Sequence, residues 1–162
     1  MAEPFAKTFH VRWGDMDFNA HMRNTAYLDV SGDVRMFYFQ EHGFPMKEFM
    51  SRGIGPVILK DELEYFRELK LLETIRVTLV AAGLSEDGSR FKMRNEFFHV
   101  LGDSESGAAR APLVARVTST GGWLDLKARK MVIPPPELKA LLESLGRTAD
   151  YEALRSAVTK AL

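Results

Sequence analysis

The sequence predicts an α+β domain in which an antiparallel sheet packs against helices. Three features point there. The stretch from Asn24 to His42 repeats its apolar residues at helical spacing and is apolar over most of its girth. The four runs that follow it change to the two-residue period of strands. One strand-like run precedes it. The simplest packing of that order wraps a curved sheet about the long helix.

The first strand is expected from Phe5 to Trp13, where Phe9, Val11 and Trp13 alternate with His10 and Arg12. Gly14 to Arg23 is polar and irregular, a loop. In the long helix, Tyr27, Val30, Val34 and Phe37 share one face, and Leu28, Met36, Tyr38 and Phe39 widen it. Ser31 and Gly32 leave room for another backbone at mid-helix, and Gly43 supplies the stop. Pro45 to Arg52 reads as a short second helix, with Pro45 near its first turn.

Strands are expected over Ile54 to Glu68, Thr74 to Leu84, Arg90 to Leu101 and Pro112 to Leu126. Glu86-Asp87-Gly88-Ser89 suits a tight hairpin turn, and Gly102 to Ala111 a longer one. Gly121-Gly122 inside the last strand suggests a bulge or a close backbone approach. Pro134-Pro135-Pro136 ends the sheet and starts a helix striped by Leu138, Leu141, Leu142 and Leu145, which Gly146 ends. A final helix is expected from about Thr148, with Tyr151, Leu154, Val158 and Leu162 on one side. The division is then a core domain over residues 1–136 and a C-terminal helical extension over 137–162, packed on it.

A chain of 162 residues suits one domain and buries enough surface to fold without staples. It has no Cys, which removes thiol nucleophiles, Cys-zinc sites and iron–sulfur ligation. Lys plus Arg equals Asp plus Glu, at 22 each, so there is no basic excess to displace counterions from nucleic acid. Met1-Ala2-Glu3-Pro4 carries no signal-peptide pattern, and no apolar run is long enough to span a bilayer. A cytoplasmic protein with neither nucleic-acid nor membrane partners is the expectation.

Chemistry concentrates in the segment Trp13-Gly14-Asp15-Met16-Asp17-Phe18-Asn19-Ala20-His21-Met22-Arg23-Asn24. Two carboxylates, a His and two Asn crowd a loop that feeds the most apolar helix, and loops on rigid scaffolds are where catalytic groups gather. The first backbone N–H groups of that helix carry the positive end of its dipole and can face an oxygen that gains negative charge. A carboxylate beside such donors is the minimum kit for attack on an acyl carbonyl.

The segment resembles the signature of the 4-hydroxybenzoyl-CoA thioesterase family of the hotdog superfamily: aromatic-x-Asp-x-Asp-x-x-Gly-His-x-x-Asn-x-x-Tyr. Trp13, Asp15, Asp17, His21, Asn24 and Tyr27 stand at matching places, and Ala20 stands where the family usually has Gly. Pro56-Val57-Ile58-Leu59, Tyr65-Phe66-Arg67 and Asp125 to Pro136 extend the similarity over about residues 5–136. The resemblance implies a hotdog fold and hydrolysis of an acyl-CoA or related thioester. It makes Asp17 the nucleophile or general base and puts the carbonyl-polarising backbone N–H near Asn24. It also implies dimers or tetramers with the site between subunits. CoA enters as part of the substrate, and no cofactor or metal is called for.

Simpler readings stand beside these. An Asp in a loop often only organises backbone N–H groups, and that role fits Asp15 better than Asp17. His21 suits positioning of the loop or the substrate carbonyl, and it lacks partners at metal-ligand spacing. Asn24 is a good helix-start residue. Tyr27 belongs to the helix core, with a hydroxyl that needs a partner or faces the substrate. Lys127 and Arg129, next to Lys130, could meet the phosphates of CoA or simply form a solvated face. Two other functions are compatible with the fold: an acyl-CoA binding or scaffolding protein without turnover, and an enoyl-CoA hydratase or dehydratase. The hydratase pattern Gly-Asp-x-Asn-Pro-x-His is matched only at Gly14-Asp15.

Overall fold

The computed structural model describes residues 3–102 and 111–158. Its elements in order are β1 (Phe5–His10), α1 (Ala26–Glu41), α2 (Met46–Arg52), β2 (Ile54–Tyr65), β3 (Thr74–Ser85), β4 (Arg90–His99), β5 (Leu113–Asp125), β6 (Lys130–Val132), α3 (Pro136–Glu143) and β7 (Arg147–Leu154). The strands form one sheet in the order β1-β3-β4-β5-β2, all antiparallel. Short β6 extends the sheet beside β5, and β7 runs parallel to β3.

Local chemistry sets the turns. At the β3–β4 hairpin, Asp87 Oδ1 accepts hydrogen bonds from the Ser85 hydroxyl (2.8 Å), the Ser89 N–H (3.0 Å) and the Ser89 hydroxyl (2.7 Å). Gly88 takes φ +77° there, a left-handed angle that glycine adopts without steric cost. The predicted close approach at Gly121 is present. A Cβ on it would collide with the Val57 carbonyl, where the β2–β5 register slips between Ile58 and Lys60.

Helix α1 packs against β1, β3 and β5. Ala26, Tyr27, Val30, Val34, Tyr38 and Phe39 are buried, whereas Asp29, Asp33 and Gln40 are exposed. The helix therefore buries one broad face rather than its full girth, and Phe37 keeps 41% of its surface exposed. At the far end of α1 the core is aromatic: Trp123 is fully buried, stacks on Phe49 and meets Phe39 and Phe91 at an angle. Its indole N–H donates to the Gly88 carbonyl at 3.1 Å.

Three expectations change. β1 ends at His10, and Trp13 is not an inward strand residue: Trp13–Asp15 is a 3-10 turn with Trp13 81% exposed. Of the two C-terminal helices, α3 forms and is tied to α1 by Tyr38 Oη, which donates to the Leu141 carbonyl at 2.6 Å. The second is a strand. β7 pairs with β3 because Gly83 has no side chain, and the Leu154 side chain and Glu152 carbonyl fill the place its Cβ would need. Arg94–Asp150 and Lys92–Glu152 ion pairs, at 3.0 and 2.9 Å, fasten it further. Most of the loop expected over Gly102 to Ala111, and the end of the expected last helix including Leu162, lie outside the described residues.

Candidate active site

The loop before α1 is held at both ends by backbone bonds to the segment linking β2 to β3. The Val11 N–H donates to the Glu73 carbonyl at 2.9 Å and the Met22 N–H to the Leu69 carbonyl at 2.7 Å. Inside the loop the two acids diverge. Asp15 is 2% exposed and accepts from Arg12 three times, from its N–H (3.0 Å), Nε (3.1 Å) and Nη2 (3.0 Å). Burial works against its charge, but these bonds from Arg12 prevail and hold its carboxyl below the usual carboxylate range.

Asp17 is half-buried at the loop tip. Its N–H donates to the His21 carbonyl (2.9 Å), and its Oδ1 accepts the Asn19 N–H (2.8 Å), an Asx turn. Ala20, inside this turn, has φ 63°, the left-handed angle for which glycine is preferred. Oδ2 of Asp17 stands 3.4 Å from His21 Nδ1, which is also 3.2 Å from the Met22 carbonyl. Both neighbours are acceptors, so the proton belongs on Nδ1 and the ring holds Asp17 in place.

The start of α1 lies beside this pair. The Ala26 N–H donates to the Arg23 carbonyl at 3.1 Å, and among the described residues the Asn24 N–H donates to no acceptor. At the other end of the same residue, the Asn24 carbonyl accepts the Tyr65 hydroxyl at 3.0 Å. Tyr27 is wedged edge-on between Tyr65 and Phe97, at centroid distances of 5.3 and 5.2 Å. Burial, aided by the negative field of its neighbours, pushes its phenol up to about 12, so it stays a neutral hydrogen-bond donor.

These groups share one cleft of about 550 Å3, whose lining includes Asp17, His21, Asn24, Tyr27, Tyr65 and Arg67. That volume is typical of small-molecule sites. The fold thus brings together four of the residues singled out in the sequence: Asp17, His21, Asn24 and Tyr27. It does not bring Lys127 or Arg129 to them. Both lie exposed on the β5–β6 turn, where Asp125 Oδ1 accepts the Lys127 N–H at 2.9 Å and the Asp125 carbonyl accepts the Arg129 N–H at 2.8 Å. Tyr65 and Arg67 line the cleft without having been singled out by the sequence. Their signal was the Tyr65-Phe66-Arg67 run at a strand end, which carries a site only once β2 is laid beside α1.

A second cleft of about 550 Å3 lies between β1 and α1, near Thr8, Asp33 and Phe37, but its buried acid, Asp15, is already paired with Arg12. Among the described residues no three His, Asp or Glu side chains converge as metal ligands would, and no helix is long and apolar enough to cross a membrane.

A family model, the Thioesterase-like superfamily, matches residues 11–142. No curated protein matches. Solved structures are similar across nearly the whole chain. A 1,4-dihydroxy-2-naphthoyl-CoA thioesterase from Synechocystis aligns with TM-score 0.72 at 17% identity, over 88% of this chain and 98% of its own. A Staphylococcus aureus protein solved in complex with CoA aligns with TM-score 0.75 at 18% identity, over 99% and 94%. YbaW, a probable thioesterase from Escherichia coli, aligns with TM-score 0.67 at 19% identity, over 87% and 98%.

Proposed function

Because this chain belongs to the thioesterase-like superfamily, and is a thioesterase by that membership, we propose that it hydrolyses an acyl-CoA thioester, or a related one, to the free acid and thiol. The observation that carries the reading is the meeting of the Asp17 carboxylate and the unengaged Asn24 N–H, in the turn that leads into α1, in one cleft. The staphylococcal neighbour's CoA complex supports CoA as the carrier.

In the proposed reaction the thioester carbonyl oxygen faces the Asn24 N–H, where the helix dipole favours the developing negative charge. Asp17 Oδ1 is held at 2.8 Å by the Asn19 N–H, and Oδ2, 3.4 Å from His21 Nδ1, is the less tightly held oxygen and does the chemistry. It either takes a proton from water as the water oxygen attacks the acyl carbon, or attacks that carbon itself. In the first route the C–S bond breaks, the thiolate leaves, and the proton held by Asp17 passes to it. In the second, a mixed anhydride forms as the thiolate leaves, and water then cleaves it to the free acid and the Asp17 carboxylate, the water's other proton passing to the thiolate. His21 positions Asp17, and the neutral Tyr27 hydroxyl borders the acyl group.

The same reading has the sheet curl about α1 in the hotdog manner and the chain work as a homodimer or homotetramer. Lys127 and Arg129 remain candidates for the CoA phosphates, a role that requires the nucleotide to reach the β5–β6 turn.

The test is thiol release from short, long and aromatic acyl-CoAs by the wild type and Asp17→Asn. At least one substrate should be cleaved, and the variant should lose about a hundredfold or more in kcat. An Asp17→Asn enzyme with unchanged kcat would sink the assignment. Binding without cleavage across the panel would favour a scaffold.

A further inference from the structure

A separate, smaller cavity lies farther along α1. It encloses about 250 Å3, and its wall is almost wholly apolar, with Met36, Phe39, Ile58 and Met93 joined by Gly32 and Arg35. Arg35 does not fit such a wall. It is 9% exposed, its Nε donates to the Ser31 carbonyl at 3.1 Å, and its buried Nη1 has no partner among the described residues. Asp61 acts on it only through space and is engaged elsewhere, accepting the Ser119 hydroxyl at 2.5 Å. A guanidinium with a buried Nη1 left unpaired among apolar side chains is costly, and a carboxylate that supplies oxygens in its plane removes that cost.

Gly32 is the second observation. A glycine inside a helix weakens it, and no left-handed angle demands one at this position. Nothing lies within 4 Å of where its Cβ would stand, so within this chain it serves no close contact. What it does is keep the cavity open.

The location says what would enter. Both this cavity and the Asp17 cleft take one wall from α1, and they meet β2 toward its two ends, the cleft at Tyr65 and the cavity at Pro56 and Ile58. Arg35 is eight residues beyond Tyr27 on the helix, about 12 Å along its axis at 1.5 Å per residue. A concave apolar hole with one nearly covered cation suits the end of a slender chain better than a broad protein surface.

We propose that Arg35 anchors the far end of an acyl group that terminates in a carboxylate, making ω-carboxyacyl thioesters the preferred substrate class. The proposal rests on the thioesterase reading and adds the acyl group to it. Arg35 is a specificity residue and takes no part in bond breaking.

Hydrolysis of ω-carboxyacyl-CoAs from succinyl to dodecanedioyl is compared with that of neutral acyl-CoAs of equal length. The proteins are the wild type, Arg35→Met and Gly32→Leu. At the longer lengths the wild type should favour the carboxylate series by at least about tenfold in kcat/KM. Arg35→Met, an unbranched apolar replacement that a core accepts, should erase that preference and still cleave the neutral series. Gly32→Leu should depress the longer members of both series. Equal rates on the two series in the wild type overturn the proposal, as does a preference that survives Arg35→Met. So does an Arg35→Met chain that sediments as a smaller oligomer with its preference intact, because Arg35 then meets a second copy. If the wild type cleaves neither series, the thioesterase reading fails on its own. Calorimetry of dodecanedioate against dodecanoate then decides the anchor: tighter diacid binding in the wild type alone supports it, and equal binding overturns it.

Discussion

The Tyr65 hydroxyl donates to the Asn24 carbonyl at 3.0 Å, so the last residue of β2 pins the peptide that opens α1. That bond fixes in place the residue whose N–H is the candidate oxyanion donor. Tyr65→Phe should lower kcat about fivefold, the worth of about 1 kcal/mol, with KM little changed. Steady-state kinetics on the best thioester reads this directly, and a fall confined to KM would move Tyr65 to substrate binding.

The two acids of the loop should separate cleanly. Asp15 is buried on Arg12, so Asp15→Asn should cost about 1–3 kcal/mol of stability in urea denaturation. Asp17→Asn keeps an oxygen for the Asn19 N–H, so its midpoint should stay near the wild type while hydrolysis is lost. The reverse pattern would exchange their roles.

Ala20 sits at φ 63° without the freedom of glycine. Ala20→Gly should therefore raise stability by about 0.5–1 kcal/mol, since the left-handed strain of about 1–2 kcal/mol outweighs the added unfolded-chain entropy. A lower denaturation midpoint would contradict this.

Gly121→Ala should do the opposite. Its methyl would strike the Val57 carbonyl, a backbone atom that cannot swing aside. A loss of about 2–3 kcal/mol or more is expected, as for an overpacked core. Gly14→Ala, which meets nothing within 4 Å, is the control.

Asp87 predicts a pH dependence. Burial opposes its charge, but the hydroxyls of Ser156 and Ser89, the Ser89 N–H and the Ser85 hydroxyl together hold its carboxyl well below the ordinary range. A depressed folded-state value means its stabilisation is complete above the unfolded-chain value, near pH 4, and is lost as pH falls below that. Wild type minus Asp87→Asn stability should therefore shrink from neutral pH toward pH 2. A difference that stays constant would remove Asp87 as the cause.

At the C-terminus local pattern and tertiary pairing point to different structures. In β7 the half-buried residues are Thr148, Tyr151 and Leu154, spaced by three, because the pairing with β3 jumps from Arg147 opposite Ala81 to Glu152 opposite Gly83 and breaks the two-residue alternation. That spacing imitates a helical stripe. What decides for a strand is Gly83 and the partners Arg94 and Lys92, more than fifty residues upstream, and no local pattern contains them. Trp13 leaves the strand for a related reason: the apolar alternation runs on through it, but the Asp15 carboxylate reaches back to the Arg12 N–H and closes a turn.

Much was legible along the chain. The long helix, its approximate ends, the runs of β2 to β5 and the Asp87 turn follow from periods and turn residues that act between near neighbours. The same holds for Asp17, His21, Asn24 and Tyr27, which are close in sequence and so stay close in space wherever the loop goes. Tertiary structure alone decided the rest. It laid Tyr65 and Arg67 on the far wall of the cleft, kept Lys127 and Arg129 away from it, and buried Arg35 at an apolar cavity with its Nη1 unpartnered among the described residues. These depend on which strand lies beside α1 and in what register. That choice is made by burial and pairing summed over the whole sheet, which a local stretch of sequence does not encode.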